Sequence, residues 1–138
     1  MRRSLLSFSP PLLGPEEISE VAGTLGSDWI TTGPKTRRFE TEFGAFVGAR
    51  AALAVFSATD AMQVALAALG VGPGDEVITT PMTFCSTVQV IEHQGGRPVL
   101  ADVDPETLNV DPEKVAAALT PRTRGLVPVH LYGHPCDL

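Results

Sequence analysis

The sequence has little with which to staple itself, cross a bilayer or hold a polyanion. Of its 138 residues two are cysteine, Cys85 and Cys136. They form neither a CxxC pair nor a disulfide framework, which fits a reducing, cytoplasmic setting. No apolar run reaches membrane-spanning length. Leu5-Leu6 behind Arg2-Arg3 is broken by Ser4, Ser7, Ser9, Pro10 and Pro11 before it could read as a signal peptide, so the chain is expected to be untargeted. Positive charge is scarce too: ten Lys and Arg stand against sixteen Asp and Glu, for a net charge of -6. The only basic pairs are Arg2-Arg3 and Arg37-Arg38, which argues against nucleic acid or an anionic membrane as the main partner. There is no internal repeat or low-complexity tract. What is present is 43% hydrophobic and 19% charged residues, enough for a packed core in one ordinary domain.

Residues 1 to 14 read as an extended arm. Pro15 followed by Glu16-Glu17 suits a helix start, and Ile18, Val21, Ala22 and Leu25 give that helix one apolar stripe before Gly26 stops it. Ser27 to Pro34 reads as a loop holding the lone Trp29. Phe39, Phe43 and Phe46 describe a second helix over Lys35 to Val47, closed by Gly48, with its aromatics expected in a core. Ala51 to Phe56 reads as a strand. The helix from Asp60 to Leu69 is apolar on nearly every side and is expected to be buried. Then follow a Gly72-Pro73-Gly74-Asp75 turn, a strand over Glu76 to Thr80, a helix over Phe84 to Gln94, and a strand over Pro98 to Val103. A helix capped by Asp111 runs to Leu119, a strand covers Gly125 to His130, and Pro135 hints at one more helix. Strands alternating with helices of about ten residues predict an α/β fold with a parallel sheet and crossover helices.

Ligands of open α/β sheets bind beyond the carboxyl ends of the strands. Four such ends are predicted: Ser57-Ala58-Thr59-Asp60, Thr80 to Phe84, Asp102 to Asp104, and His130 to Tyr132. The first offers small residues, free helix N–H groups and the Thr59 hydroxyl to an anion such as a phosphate; it reads equally as a plain helix cap. The GxGxxG fingerprint and a Walker lysine are both absent from this turn. Phe84 is placed to stack on a flat ring or to fill a core. Asp102, Asp104 and Asp111 read as polar strand-end and cap residues, and His130, His134 and Cys136 lack zinc-site spacing, so no metal is expected. Neither cysteine has a recognisable base partner.

At these residues the sequence resembles the DegT/DnrJ/EryC1/StrS sugar aminotransferases. The resemblance runs over nearly the whole chain. It takes in Pro11-Leu12-Leu13-Gly14, Trp29 to Pro34, Phe39-Glu40, Ser57 to Ala61, Gly72 to Ile78, Thr83-Phe84, Asp102 to Pro105 and Pro128 to Gly133. Each stretch is weak alone; in this order they are specific. The resemblance implies a pyridoxal 5′-phosphate enzyme of fold type I. It would act as a homodimer and move an amino group from glutamate to a keto-sugar nucleotide, in cell-surface polysaccharide or secondary-metabolite sugar synthesis. It also implies an arm and two helices over residues 1–50 and the first part of the cofactor-binding large domain over 51–138. Ser57, Ala58, Thr59 and Asp60 would hold the cofactor phosphate, Phe84 would stack on its ring, and Thr31, Thr32 and Gly33 would lie toward the sugar nucleotide or across the dimer.

One departure follows from the scarcity of lysine. Lys35 and Lys114 are the only two, and neither matches the family's cofactor-anchoring lysine. In the family that residue, and the acid that pairs with the pyridine nitrogen, fall beyond the position of Leu138. The expectation is therefore a partial chain with no catalytic residue of its own, unable to transaminate alone. A non-catalytic truncated product or phosphate-cofactor-binding module is the second reading. Less favoured are a relative of the sugar dehydratases that carry histidine in place of the lysine, and a nicotinamide-dependent oxidoreductase.

Overall fold

The computed structural model describes residues 9–138, so the Arg2-Arg3 and Leu5-Leu6 readings lie outside the described residues. The chain divides into two compact units, one up to Ala54 and one from Val55.

The first unit holds helices α1 (Pro15–Leu25) and α2 (Pro34–Val47). Both open on proline, whose fixed φ and missing N–H suit a first helical position. At the start of α1 the Gly14 N–H donates to Glu17 Oε2 at 2.6 Å. At the end of α2, Gly48 takes φ +69°, a left-handed cap that a side chain would strain. Glu20 on α1 receives Lys35 at 2.6 Å and Arg38 at 3.3 Å from α2. The apolar stripes are not buried, contrary to the sequence expectation. Phe39 and Phe43 stack on each other at 5.6 Å, yet these two and Phe46 are exposed, as are Ile18, Val21 and Leu25. A unit of this size built on two helices has too little surface of its own to cover both stripes.

Residues Ala51 to Phe56, predicted as a strand, form none. No strand among the described residues pairs with them; the Ala54 N–H donates instead to Glu40 Oε1 at 2.9 Å, and a run without a ladder partner leaves its other peptide groups largely to water. Leu53 and Phe56 are accordingly exposed.

The second unit is layered around a parallel sheet of β1 (Glu76–Thr79), β2 (Arg97–Leu100) and β3 (Thr123–Leu126) in the order β2-β1-β3. Helices α3 (Ala58–Ala68), α4 (Ser86–His93) and α5 (Pro112–Ala118) and a 3₁₀ turn at Leu131–Gly133 complete it. Every residue of central β1 is buried. On one face Val77 packs with Leu66, Val71, Val90 and Ile91; on the other Ile78 packs with Ala101, Val110 and Cys136. The strands are shorter than the sequence reading and β3 starts earlier; Val127 still donates to Ile78 O at 2.9 Å before the chain leaves the sheet. Helix α4 starts at Ser86, not Phe84. Helix α3 lies on one side of the sheet only, so of its apolar residues Leu66 alone is buried and Val64 stays exposed, against the expectation of a buried helix.

At the amino end of the sheet Glu76 is buried and receives Thr120 Oγ1 at 2.6 Å, Arg122 at 2.6 Å and Arg97 at 3.2 Å, joining residues from all three strand beginnings. These bonds, Thr120 first, hold its carboxyl below the usual range despite the opposing cost of burial.

Candidate functional site

Direction in α3 follows from its end. The Arg124 guanidinium, at the start half of β3, donates to Leu69 O at 2.8 and 3.1 Å, and the Gly72 to Asp75 turn leads straight into β1. Helix α3 thus finishes at the amino end of the sheet, and its eleven residues, about 16 Å at 1.5 Å each, carry Ser57 to the carboxyl end. Helix α4 leaves the carboxyl end of β1 and packs against α3. The N-termini of both helices, the Thr80 to Phe84 segment, Asp102 to Asp104 and the turn after β3 therefore share one edge of this unit.

Ser57 is the N-cap of α3: its Oγ accepts the Asp60 N–H at 3.1 Å and donates to Asp60 Oδ2 at 3.0 Å. The Ala61 N–H is taken by Ser57 O. The N–H groups of Ala58 and Thr59 and the Thr59 hydroxyl enter none of the hydrogen bonds among the described residues. The helix is thus both capped and left with two aligned donors and a hydroxyl, the arrangement that receives an oxyanion. Ser57 and Ala58 are exposed and Thr59 half-buried, so the turn is open to an anion, with the Asp60 carboxylate, held by Ser57 at 3.0 Å, as the one negative charge in it.

Phe84 stands just before α4 and is 75% exposed, so the core reading of this aromatic does not hold and a face is free for a ring. Near it four threonine hydroxyls are bonded. Thr79 donates to Val127 O at 2.9 Å, Thr80 accepts from Met82 N at 3.2 Å, and Thr83 and Thr87 share a bond of 2.8 Å. They fix the β1–α4 connection and leave it unable to rearrange cheaply.

The acidic residues are occupied by their own loops. Asp104 Oδ1 accepts from Glu106 N, Thr107 N and Thr107 Oγ1, which, Thr107 N first, lowers its pKa; Asp111 caps α5 through Glu113 N at 2.8 Å. Asn109, which the sequence reading passed over, is buried, accepts the Leu131 N–H at 3.0 Å and donates to His134 O and Pro135 O at 2.9 and 3.2 Å. It ties the β2–α5 connection to the turn after β3, where Tyr132 takes φ +52°. His130 Nδ1 accepts from Cys136 N at 2.9 Å, which leaves a neutral ring its proton on Nε2.

In the first unit Thr31, Thr32 and Gly33 form the bend before α2. Trp29 Nε1 donates to Thr32 O at 2.9 Å, and the threonine hydroxyls enter no hydrogen bond among the described residues.

A parallel sheet whose helices begin at its carboxyl edge, with an uncovered helix N-terminus there, defines an open α/β ligand-binding domain. The chain belongs to the DegT/DnrJ/EryC1/StrS aminotransferase family, whose model matches residues 11–138, and it carries part of the large domain of the fold type I enzymes. It is 56% identical over 137 residues to the spore coat polysaccharide biosynthesis protein SpsC of Bacillus subtilis, covering 99% of this chain and 35% of that protein. Among solved structures it is similar to the aminotransferase from Psychrobacter cryohalolentis, with 44% identity, a TM-score of 0.86 and coverage of 94% of this chain and 34% of the other. NtdA from Bacillus subtilis, solved with bound cofactor PMP, is 34% identical with a TM-score of 0.83, covering 99% and 34%. The chain spans about a third of the length of these relatives.

Proposed function

We propose that the chain is the N-terminal part of a pyridoxal 5′-phosphate-dependent sugar aminotransferase and supplies the cradle for the cofactor phosphate. The observation that carries this is the pair of uncommitted N–H groups at Ala58 and Thr59, beside the free Thr59 hydroxyl, at the carboxyl edge of the sheet. NtdA, with its bound PMP, shares the fold over nearly the whole chain and supports the choice of anion. Ser57 orders the turn by capping α3, Thr59 and the first-turn N–H groups hold the phosphate, and Phe84 lies against the pyridine ring. When bound, the cofactor supplies the electron sink for transfer of an amino group.

The amino donor is glutamate and the acceptor a keto-sugar nucleotide; the polysaccharide role named for SpsC supports the sugar. Thr31, Thr32 and Gly33 contribute to the acceptor site, and the active form is a homodimer. Lys35 pairs with Glu20 and Lys114 stands in the first turn of α5; neither matches the lysine that anchors the cofactor in the family, so the 138 residues alone are expected to bind cofactor without transaminating.

The test is a titration of the 138-residue chain with pyridoxamine 5′-phosphate, followed by the ³¹P resonance of the ligand, with unphosphorylated pyridoxamine as control. Saturable binding is expected that requires the phosphate and that Thr59→Val weakens by about tenfold, the worth of one charge-assisted hydrogen bond. Equal binding of both ligands, or no effect of Thr59→Val, would overturn the cradle.

A further inference from the structure

The bend between α1 and α2 is fastened at each end by its neighbours. Ser27 Oγ donates to Thr24 O at 2.8 Å and accepts the Trp29 N–H at 3.2 Å, which fixes the exit from α1. Gly33 O accepts the Arg37 N–H at 3.1 Å as α2 begins. The middle is fastened by one side chain. The Trp29 indole donates to Thr32 O at 2.9 Å, and its ring lies so close on Gly33 that a Cβ there would sit 2.9 Å from Cε2 and closer still to Nε1 and Cδ1. Gly33 has an extended φ of -169°, so glycine is required here by the indole and not by the backbone conformation. The ring and the loop border a cleft of about 180 Å³ with Pro34 and Arg37. The hydroxyls of Thr31 and Thr32 and the Arg37 guanidinium take part in none of the hydrogen bonds among the described residues. The loop's backbone is therefore held without spending the polar groups that a hydroxyl-rich, phosphate-bearing ligand would use.

We propose that Trp29 is the positioning residue of the Thr31–Gly33 loop, setting it through the bond to Thr32 O and the contact with Gly33 so that its free hydroxyls meet the sugar-nucleotide substrate. The substrate half rests on the function proposed above; the holding half rests on the geometry alone. Substrate affinity then depends on an indole that itself need not touch the substrate.

Three measurements on the 138-residue chain test it. In Trp29→Phe, which keeps an aromatic ring and loses the N–H, amide hydrogen exchange at Gly33, whose N–H donates to Thr36 Oγ1 at 3.5 Å, is expected to quicken about 2- to 10-fold, the worth of one neutral hydrogen bond, with the β1 amides unchanged. Unchanged exchange in the loop overturns the proposal. Gly33→Ala is expected to push the indole into water and red-shift the emission of this single tryptophan. In the Trp29→Ala background the same change is expected to add nothing to loop exchange, because its clash is with the ring. Additive effects overturn the contact with Gly33. Finally, titration with thymidine diphosphate glucose by calorimetry is expected to show several-fold weaker binding in Trp29→Phe than in the wild type. Equal affinity in the two overturns the positioning role alone. Absence of wild-type binding overturns the substrate reading, while the exchange data separately decide whether Trp29 holds the loop.

Discussion

Glu76 brings a carboxylate into the one strand whose residues are all buried, and the cost is met by Thr120, Arg122 and Arg97. Its pKa is lowered in the folded chain, chiefly by the Thr120 hydroxyl, so the unfolded chain binds the proton more readily. The stability this gives is fully present above the unfolded carboxylate value of about 4.3 and is lost as the pH falls through the depressed native value. Glu76→Gln is accordingly expected to be less stable than the wild type at pH 7, with the gap narrowing below about pH 4.3; urea midpoints across that range measure it. Asn109 is the second residue of consequence. Asn109→Ala strands the Leu131 N–H and two carbonyls in a buried place and is expected to cost about 1–3 kcal/mol in urea unfolding. A near-zero cost would show that the turn after β3 is held by other means. Neither residue announced itself in the sequence. Glu76 stood at the head of a strand and Asn109 in a loop, and only their distant partners, as far off as Arg122 and Pro135, give them a role.

Caps separate structure from binding among the elements. Ser57 on α3 and Asp111 on α5 each accept a first-turn N–H, so Ser57→Ala and Asp111→Ala should each lose about 1 kcal/mol of stability. Only the first should also weaken binding of pyridoxamine 5′-phosphate; equal binding losses would argue against the cradle. The limits of α1, the left-handed end of α2, the cap of α5 and the parallel alternation in the second unit were legible in the sequence, because proline, glycine and aspartate act locally. Burial was not legible. The helical spacing of Phe39, Phe43 and Phe46 told which side of α2 is apolar, and whether anything covers that side depends on surface elsewhere. The same holds for Ala51 to Phe56, whose composition suits a strand but whose pairing needs a neighbour. At the candidate site the small-residue turn at Ser57 to Asp60 was readable as cap or cradle, and its free N–H groups and the exposure of Phe84 required coordinates.

Over the whole molecule the balance is between one well-packed sheet and much uncovered apolar surface. Phe46, Phe56, Leu53 and Phe84 are all more than two-thirds exposed, and β2 and β3 each have one strand neighbour among the described residues. Surfaces and edges of this kind associate. The isolated 138-residue chain is expected to bind an apolar dye and to sediment above monomer mass, increasingly with concentration. A sharp unfolding transition of a monomer without dye binding would count against this. The register of the sheet has a further consequence, for the order of events as the chain leaves the ribosome. Residue 76 lies beside residue 97 on one side and beside residue 123 on the other, so no hairpin can start the sheet, and its central strand gains its second neighbour only when β3 has emerged. Helices α3 and α4 can form early from local contacts, whereas β1, every residue of which is buried in the fold, has no strand partner until residues 97–100 have emerged and only one until residues 123–126 follow.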